Sequence, residues 1–441
     1  MGMNKVVNVI GGGLAGSECA YFLAQHGFKV KLFEMKPKKF SPAHTKPTLA
    51  EIVCSNSFKN DDISSSSGLL KAEMRALGSL VLRVADSCKV GAGNALAVDR
   101  EKFTTMIDQE IRKCKNITIV NEEITALENS DEIWVVATGP LTSDEFSKNL
   151  AKMLGEESLF YFDASAPIVT KASLIEGKYF IEDRYGEIGK GDYLNCPMNK
   201  AEYEAFYNEL INAKIIELKD FENSKVFEGC MPIEVMAKRG KDTLRFGPLK
   251  PVGLGKDLAE RPYAVVQLRK ENTEELAYNL VGFQTNLTFS EQKRVFSIIP
   301  ALQNAEFLKY GVMHRNTYIN SPKHLNASFR MRKNPNIYFA GQISGVEGYM
   351  ESTSSGLSVA ISILMRYNGN EEFSFSAKTM MGALAQYVSN PANKINFQPM
   401  SSNYGIIDSH GIDSRDKHEK RRIIYENSMQ EIDKIRREIC H

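Results

Sequence analysis

The first 34 residues alternate between short apolar runs and a helical pattern. Residues 6–10 form an apolar run typical of a strand buried on both faces, and residues 29–34 form a second run. Between them, apolar positions over residues 19–23 predict a helix that ends near Gly27. The pattern therefore predicts a strand–turn–helix–strand unit.

Buried-strand runs return at residues 117–120, 132–139 and 336–341, whereas residues 160–310 mix strand-like segments with polar helices. Residues 36–68 are rich in Lys, Pro, Ser and Asn, which is typical of a loop. Helices are predicted at 69–80, at 103–112 and from about residue 356. A charged surface helix is predicted at 417–437.

The turn after the first strand is rich in glycine. Gly11-Gly12-Gly13-Leu14-Ala15-Gly16 fits GxGxxG, in which the first glycine allows a tight turn and the second lets the backbone approach a pyrophosphate. The third lets the helix pack on the strand, and the helix N-terminus offers N–H groups to phosphates. Glu34 ends the second strand 18 residues after Gly16, where a carboxylate can accept ribose hydroxyls. We therefore expect this unit to bind the ADP half of a dinucleotide.

The unit alone does not distinguish FAD from NAD, but two later strand ends favour FAD. Thr138 and Gly139 end one apolar strand, and Gly341 and Gln342 follow another late in the chain. In flavoproteins with two dinucleotide folds, such a late strand brings a loop and a helix N-terminus to the flavin. Gln342 stands where such proteins usually carry an acid.

These patterns predict an α/β protein with a Rossmann-like FAD-binding domain and an inserted α+β substrate domain. Residues 1–160 and 311–400 would form the discontinuous FAD-binding domain, and residues 161–310 the insertion, which would also bind RNA if RNA is the substrate. Residues 401–441 would form a polar C-terminal tail that contains the charged helix.

Composition and charge narrow the function classes only slightly. The 55 basic and 54 acidic residues give a net charge of +1, so an RNA-binding surface would have to be a local patch. The N-terminus lacks the pattern of a signal peptide, and no apolar run reaches the roughly 18 residues of a membrane helix. We therefore expect a cytoplasmic protein that has no membrane partner.

The seven cysteines are odd in number, and no two lie within four residues of each other. This spacing excludes a CxxC redox pair and a CxxC zinc knuckle, so we predict thiols in a reducing cytosol and no metal site. Cys19 is expected to be structural. Cys54 and Cys230 could each be a nucleophile or a small buried hydrophobe, and Gly229 and Pro232 suggest that Cys230 lies in an irregular turn.

From residue 4 to about residue 404, the chain resembles the bacterial folate- and FAD-dependent uracil-5 methyltransferases that act on tRNA. Long segments carry the resemblance: residues 50–57, 69–80, 95–100, 191–198, 227–237, 242–254, 281–285, 311–321 and 339–357. The chain departs from the family pattern at residues 90–94, 352–355 and 400–404.

The resemblance implies that FAD carries a one-carbon unit from 5,10-methylenetetrahydrofolate to C5 of a uridine, with NADH or NADPH as reductant. Uracil C5 is a poor nucleophile, and addition of a thiolate at C6 makes C5 nucleophilic. The family has cysteines at both motifs, which implies that Cys230 adds to C6. Cys54 would remove the C5 proton or handle the one-carbon unit. Alternative bases are Glu228, Glu234, Glu347 and Glu351, and His314 is either a core residue or a contact to folate or RNA.

The expected substrate is the T-loop uridine of tRNA, which would become 5-methyluridine. The departures from the family pattern leave a uridine of large-subunit (23S) ribosomal RNA as an alternative. Two other classes are a flavin-dependent oxidoreductase of a small metabolite and a non-catalytic RNA-binding flavoprotein. Candidate basic patches are Lys36-Lys38-Lys39, Lys238-Arg239-Lys241-Arg245, Arg330-Arg332-Lys333 and Lys420-Arg421-Arg422, of which the second is favoured because it closely follows Cys230.

Overall fold

The computed structural model describes residues 5–127, 131–155, 159–216, 231–395 and 397–439, with the backbone alone at 159–163 and 314. The strands are β1 Val6–Ile10, β2 Lys29–Phe33, β3 Ser57–Asn60, β4 Lys89–Val90, β5 Ala95–Val98, β6 Ile117–Val120, β7 Ile133–Val136, β8 Leu159–Ala164, β9 Ile168–Thr170, β10 Phe180–Ile181, β11 Tyr193–Met198, β12 Ala264–Lys270, β13 Ala277–Leu280, β14 Phe307–Lys309, β15 Met313–Tyr318 and β16 Ile337–Phe339. The helices are α1 Leu14–Gln25, α2 Ser66–Ala76, α3 Leu80–Ser87, α4 Arg100–Lys113, α5 Asp144–Leu154, α6 Lys200–Asn212, α7 Ile233–Lys238, α8 Thr243–Phe246, α9 Phe289–Phe296, α10 Ser321–His324, α11 Tyr349–Tyr367, α12 Met380–Ser389 and α13 Lys417–Ile439.

A five-stranded parallel sheet in the order β16-β7-β1-β2-β6 organises the cofactor half of the molecule. Val7 and Val9 of β1 are fully buried because the strand lies at the centre of the sheet. The segments that follow β1, β2, β7 and β16 meet at one edge, since parallel strands end on the same side. The predicted α/β, Rossmann-like fold is confirmed.

A six-stranded sheet in the order β10-β11-β12-β13-β9-β14 forms the second layer of strands, and its pairs are antiparallel. Its hydrophobic core draws on residues between Ala166 and Ala305 only. The antiparallel pair β8 and β15 leads into this region and out of it. The core is therefore separate from that of the parallel sheet, and the domain boundaries at 161 and 310 stay a prediction.

Three local elements differ from the sequence prediction. The segment 36–68 contains β3, because Ser57 and Asn60 pair with β5. The helix predicted at 69–80 is two helices, separated at Gly78, whose φ of +80° ends the first. Helix α11 begins at Tyr349 rather than near residue 356, since Thr353, Ser354 and Ser355 are buried against the rest of the fold. Burial here overrides the weak helix propensity of Ser and Thr.

The charged C-terminal helix packs one face against the main core. Ile424, Ile432 and Ile435 of α13 are buried in it. Ser428 donates a hydrogen bond to buried Glu73 of α2 (2.6 Å), and the same carboxylate accepts the N–H groups of Met380 and Met381 (2.6 and 2.9 Å). Glu73 thereby ties α2, α12 and α13 together. No described helix has the length and apolar character needed to span a membrane.

Helices α1 and α11 cross without room for a side chain. A Cβ on Gly356 of α11 would lie 2.2 Å from the carbonyl oxygen of Ala15 and 2.9 Å from its Cα. Gly356 therefore sets how closely α11 approaches the glycine-rich turn at the start of α1.

We expect Gly356→Ala to lower the free energy of unfolding. Alanine gains about 1 kcal/mol of helix propensity. The methyl group would clash with backbone that cannot rotate away, which costs about 1–3 kcal/mol or more. Chemical denaturation of the FAD-loaded protein measures the difference.

Ser358→Ala in the same helix is the matched control. The Ser358 hydroxyl oxygen is buried and has no hydrogen-bond partner among the described residues, so its removal should change stability by less than about 0.5 kcal/mol or increase it. Equal stability of the Gly356→Ala and Ser358→Ala proteins would contradict the proposed limit on helix approach.

Candidate functional site

A cleft of about 370 Å³ lies along the carboxyl edge of the parallel sheet. Its lining extends without interruption from the glycine-rich turn after β1 to the loop of Cys54 and the N-terminus of α11. Nine predicted binding residues line it: Gly11, Gly13, Leu14, Ala15, Glu34, Thr138, Gly139, Gly341 and Gln342. Gly12 and Gly16, the other two predicted glycines of the turn, do not line the cleft.

Steric contact explains three glycines of the turn. Gly11 has φ +101°, and its Cβ would lie 2.4 Å from the carbonyl oxygen of Ala137. A Cβ on Gly16 would lie 1.8 Å from the carbonyl oxygen of Gly11, and one on Gly12 would lie 2.4 Å from Leu49. These residues let β1, β7 and α1 come together.

Gly13 is different, because none of the described residues requires a glycine there. Its φ of −73° and ψ of −168° suit any residue, and a Cβ would meet no atom within 4 Å. The space beside it opens into the cleft at the N-terminus of α1, where helix N–H groups lack intrahelical partners. A pyrophosphate group of FAD fits this position, which is where the sequence places it.

The Glu34 carboxylate is held at the cleft wall by backbone N–H groups. One oxygen accepts a hydrogen bond from Gly12 (2.9 Å) and the other from Lys36 (3.0 Å). Each carboxylate oxygen has a further lone pair. The position is suitable for accepting ribose hydroxyls, and that contact stays a prediction.

At the opposite end, an acid lies close to the amide of Gln342. The Nε2 of Gln342 donates a short hydrogen bond to the carboxylate of Glu347, and both side chains line the cleft. Ser355, part of the departure at 352–355, accepts the N–H of Gly341 (2.6 Å). That departure therefore supports the turn at the cleft.

Glu351, which is buried, forms an ion pair with the exposed Lys59 in the cleft wall (3.1 Å). Burial alone would raise the pKa of Glu351, but Lys59 and two hydrogen bonds from Ser402 lower it overall. The second carboxylate oxygen is buried and has no hydrogen-bond partner among the described residues. It can accept a hydrogen bond from an N–H or O–H of a ligand. From the sequence, Glu351 is predicted only as an alternative base, and no pattern indicates that Lys59 pairs with it.

Cys54 lies in the cleft and is half-buried. Its N–H donates to the Tyr349 hydroxyl (2.8 Å), which also accepts the N–H of Ser55 (3.3 Å), and its thiol lies 3.7 Å from the carbonyl oxygen of Ala164. Tyr349 was also missed from the sequence, because only the fold brings α11 to this loop.

The other described cysteines are Cys19, Cys88, Cys114 and Cys196. Burial raises the pKa of Cys88 and of Cys196 to about 12, and it also raises the pKa of Cys19. None of these residues, nor Cys114, lines the cleft. Cys54 is thus the described thiol that can meet a ligand.

Several predicted residues fall outside the description or away from the cleft. Cys230 and Glu228 lie outside the described residues, as does the side chain of His314. Glu234 is buried in the first turn of α7, where it accepts hydrogen bonds from the Thr285 hydroxyl (2.9 Å) and the Asn286 N–H (2.8 Å), so its contacts are structural.

The basic patches change once burial is considered. Lys36 is 4% exposed and donates to the carbonyl of Thr48, which removes it from any RNA surface. Arg330 pairs with Glu371, Arg332 donates to the carbonyl of Ser389, and Arg422 pairs with Glu426. Lys238 and Arg239 are exposed.

Comparison with known proteins places the chain among relatives of nearly full length. A family model described as "Glucose inhibited division protein A" matches residues 6–371. A "Methylenetetrahydrofolate--tRNA-(uracil-5-)-methyltransferase TrmFO" from Acetivibrio thermocellus is 56% identical and covers 97% of both chains. One of the same name from Fusobacterium nucleatum is 51% identical over 97% of this chain and 98% of its own. The solved structure of Aquifex aeolicus GidA (form II crystal) is 15% identical, with a TM-score of 0.71 over 98% of this chain and 73% of its own.

We expect Gly13→Ala to weaken FAD binding at least about tenfold. The new methyl group would occupy the space that the pyrophosphate needs, while the cap position tolerates alanine at a cost of about 1 kcal/mol or less. Equilibrium dialysis with FAD measures binding, and thermal unfolding of the apoprotein measures stability.

Gly16→Ala is the control for general damage to the turn. Its Cβ would overlap the Gly11 carbonyl, so this variant should lose stability before any ligand is added. Normal FAD affinity in Gly13→Ala would show that the pyrophosphate binds elsewhere.

Proposed function

The chain belongs to the glucose inhibited division protein A family, and from this premise we propose that it methylates C5 of a uridine in tRNA, using FAD and 5,10-methylenetetrahydrofolate. The observation that carries the proposal is the cleft that joins a dinucleotide-binding turn to the thiol of Cys54. A flavin oxidoreductase of a small metabolite would not require that thiol. The name of the relatives specifies tRNA, which favours tRNA over ribosomal RNA as the substrate.

The cofactor would bind along the whole cleft. Gly13 and Glu34 would hold the ADP half, and Gly139, Gly341 and Gln342, which also line the cleft, would contact the flavin end. Bound FAD would supply one-carbon transfer from the folate, with NADH or NADPH as reductant. The protein would supply the position of the uridine and the handling of its protons.

Two thiols divide the work on the uridine in this proposal. Cys230 adds as a thiolate to C6, which moves electron density to C5 and makes it nucleophilic. Its support is the resemblance over residues 227–237. Cys54, half-buried in the cleft, removes the C5 proton so that the Cys230 thiol can then be eliminated.

The RNA would approach over α7 and α8. The N–H of Ile233, at the start of α7, donates to the carbonyl of Gln284 (2.7 Å), a residue of the cleft wall. Lys238 and Arg239 are exposed at the other end of α7, and Phe246 at the end of α8 is 82% exposed. Positive charge and an exposed aromatic ring are what binding to unpaired bases requires.

Activity is tested by incubating the purified protein with 5,10-methylenetetrahydrofolate, NADPH and unmodified RNA, followed by nucleoside analysis. We expect 5-methyluridine in tRNA and none in 23S ribosomal RNA. Product on ribosomal RNA alone would correct the substrate. Absence of product on both RNAs would refute the methyltransferase proposal.

Cysteine variants test the assigned roles. We expect Cys230→Ala to abolish methylation and Cys54→Ala to reduce it by about 10²-fold or more, the range for loss of a general base. Cys114→Ser, a thiol outside the cleft, is the matched control and should keep activity. Full activity of Cys54→Ala would remove this residue from the mechanism.

A further inference from the structure

Four side chains from four separate elements hold the loop of Cys54. Arg100 of α4 donates to the carbonyl of Ile52 (2.5 Å), and Lys309 of β14 donates to the carbonyl of Val53 (2.9 Å). Tyr349 accepts the N–H groups of residues 54 and 55, as described above. The fourth side chain, Arg269 of β12, is considered next.

Arg269 contacts the side chains that follow the cysteine. Its Nη2 donates to the Ser55 hydroxyl (2.6 Å) and its Nε to Asn56 Oδ1 (3.0 Å). Asn56 is itself held by the carbonyls of Val98 and Lys270 (3.0 and 2.8 Å). Each residue from 52 to 56 therefore forms at least one hydrogen bond with one of these four side chains.

Among the described residues, three cations, Arg100, Arg269 and Lys309, donate hydrogen bonds to this loop, and one carboxylate pairs with one of them. Glu271 pairs with Arg100 through both oxygens (2.9 and 3.2 Å). Arg269 is only 8% exposed, and within the described ranges neither Arg269 nor Lys309 forms an ion pair. Burial lowers the pKa of Arg269 and that of Lys309, which reflects the cost of keeping both charges away from water.

An anion between these cations would offset that cost. Electrostatic interaction with Cys54 acts on Arg100, Arg269, Lys309 and Tyr349. Other ionisable groups that face the cluster are Glu271, Glu51 and Tyr193. Glu51 lies 3.8 Å from Lys36, so its charge is already shared. Among the described residues, Cys54 is the acidic group nearest along the chain to these contacts: it lies between Val53, whose carbonyl accepts from Lys309, and Ser55, whose hydroxyl accepts from Arg269.

We propose that Arg269 and Lys309 are positioning residues that hold the Cys54 loop in the cleft and keep its thiol ionised. The inference rests on the proposed function, because a thiolate at this point can accept the C5 proton: the C5–H bond breaks, an S–H bond forms, and the electron pair stays on the uridine. A neutral thiol could not accept that proton.

Thiolate absorbance in the far ultraviolet tests the proposal without any turnover. The FAD-loaded wild-type protein and its Cys54→Ser variant are titrated with base, and the difference spectrum isolates Cys54. We expect a midpoint well below the value of about 8.5 for an ordinary cysteine thiol. A midpoint at or above that value would overturn the proposal, whether or not the protein methylates tRNA.

Charge-removing variants identify the residues responsible. Arg269→Gln and Lys309→Met should each raise the midpoint by about one pH unit, so that about tenfold less thiolate remains below the midpoint. Each titration is paired with the same variant carrying Cys54→Ser. Lys309→Arg should restore the wild-type midpoint, which a purely structural role of Lys309 would not require.

Lys270→Gln is the matched control. Lys270 lies beside Arg269 on β12, but its ammonium group pairs with Glu275 (2.7 Å), so the midpoint should not change. If Arg269→Gln and Lys309→Met leave the midpoint unchanged and instead weaken binding of FAD or folate, the two cations serve a ligand and the proposal is wrong. A lowered midpoint in a protein that does not form 5-methyluridine would refute the proposed function and leave this inference standing.

Discussion

The close approach of backbone at the glycine-rich turn is the constraint on which the rest of the structure depends. Gly16 lies against the carbonyl of Gly11, and Gly356 of α11 lies against the backbone of Ala15. A side chain at either position would push α1 away from β1 or from α11. The N-terminus of α1 would then no longer face the cleft, and the loop after β16 would lose its place beside it. The shape of the cofactor site and the packing of α1 against α11 therefore both depend on glycines that allow close backbone contact.

The loop of Cys54 joins this frame to the inserted sheet. Tyr349 and Arg100 belong to helices of the cofactor half, whereas Arg269 and Lys309 belong to β12 and β14 of the six-stranded sheet. The cysteine is thus held from both sides by hydrogen bonds to its neighbours. Its place in the cleft follows from contacts with both sheets, and no local feature of residues 50–58 determines it.

Much of the fold could be predicted from the sequence because its signals are local. The apolar run of β1, the glycine pattern and Glu34 lie within about thirty residues of each other, so they can be recognised together. The parallel sheet is predicted because similar apolar runs recur later in the chain. The start of α11 could not be predicted, since Ser and Thr become helical there only through burial. Tyr349, Lys59 and Arg269 escaped sequence analysis for a related reason: their function depends on contacts more than 200 residues away in the chain.

The burial of Arg269 and the partial burial of Lys309 are hard to explain by stability alone. A buried cation without an ion pair costs several kcal/mol in desolvation, and an apolar side chain would pack at these positions without that cost. The hydrogen bonds to Ser55 and to the carbonyl of Val53 return only part of it, because neutral acceptors compensate a charge incompletely. The arrangement makes physical sense if the cluster is completed by a negative charge that the reaction needs. Since both cations come from the inserted sheet and the thiol from the cofactor half, the contacts that hold the Cys54 loop depend on both sheets. Displacement of the inserted sheet would break the hydrogen bonds to Ser55 and to the carbonyl of Val53, and in the mechanism proposed above it would also remove the positive charge that keeps the thiol ionised.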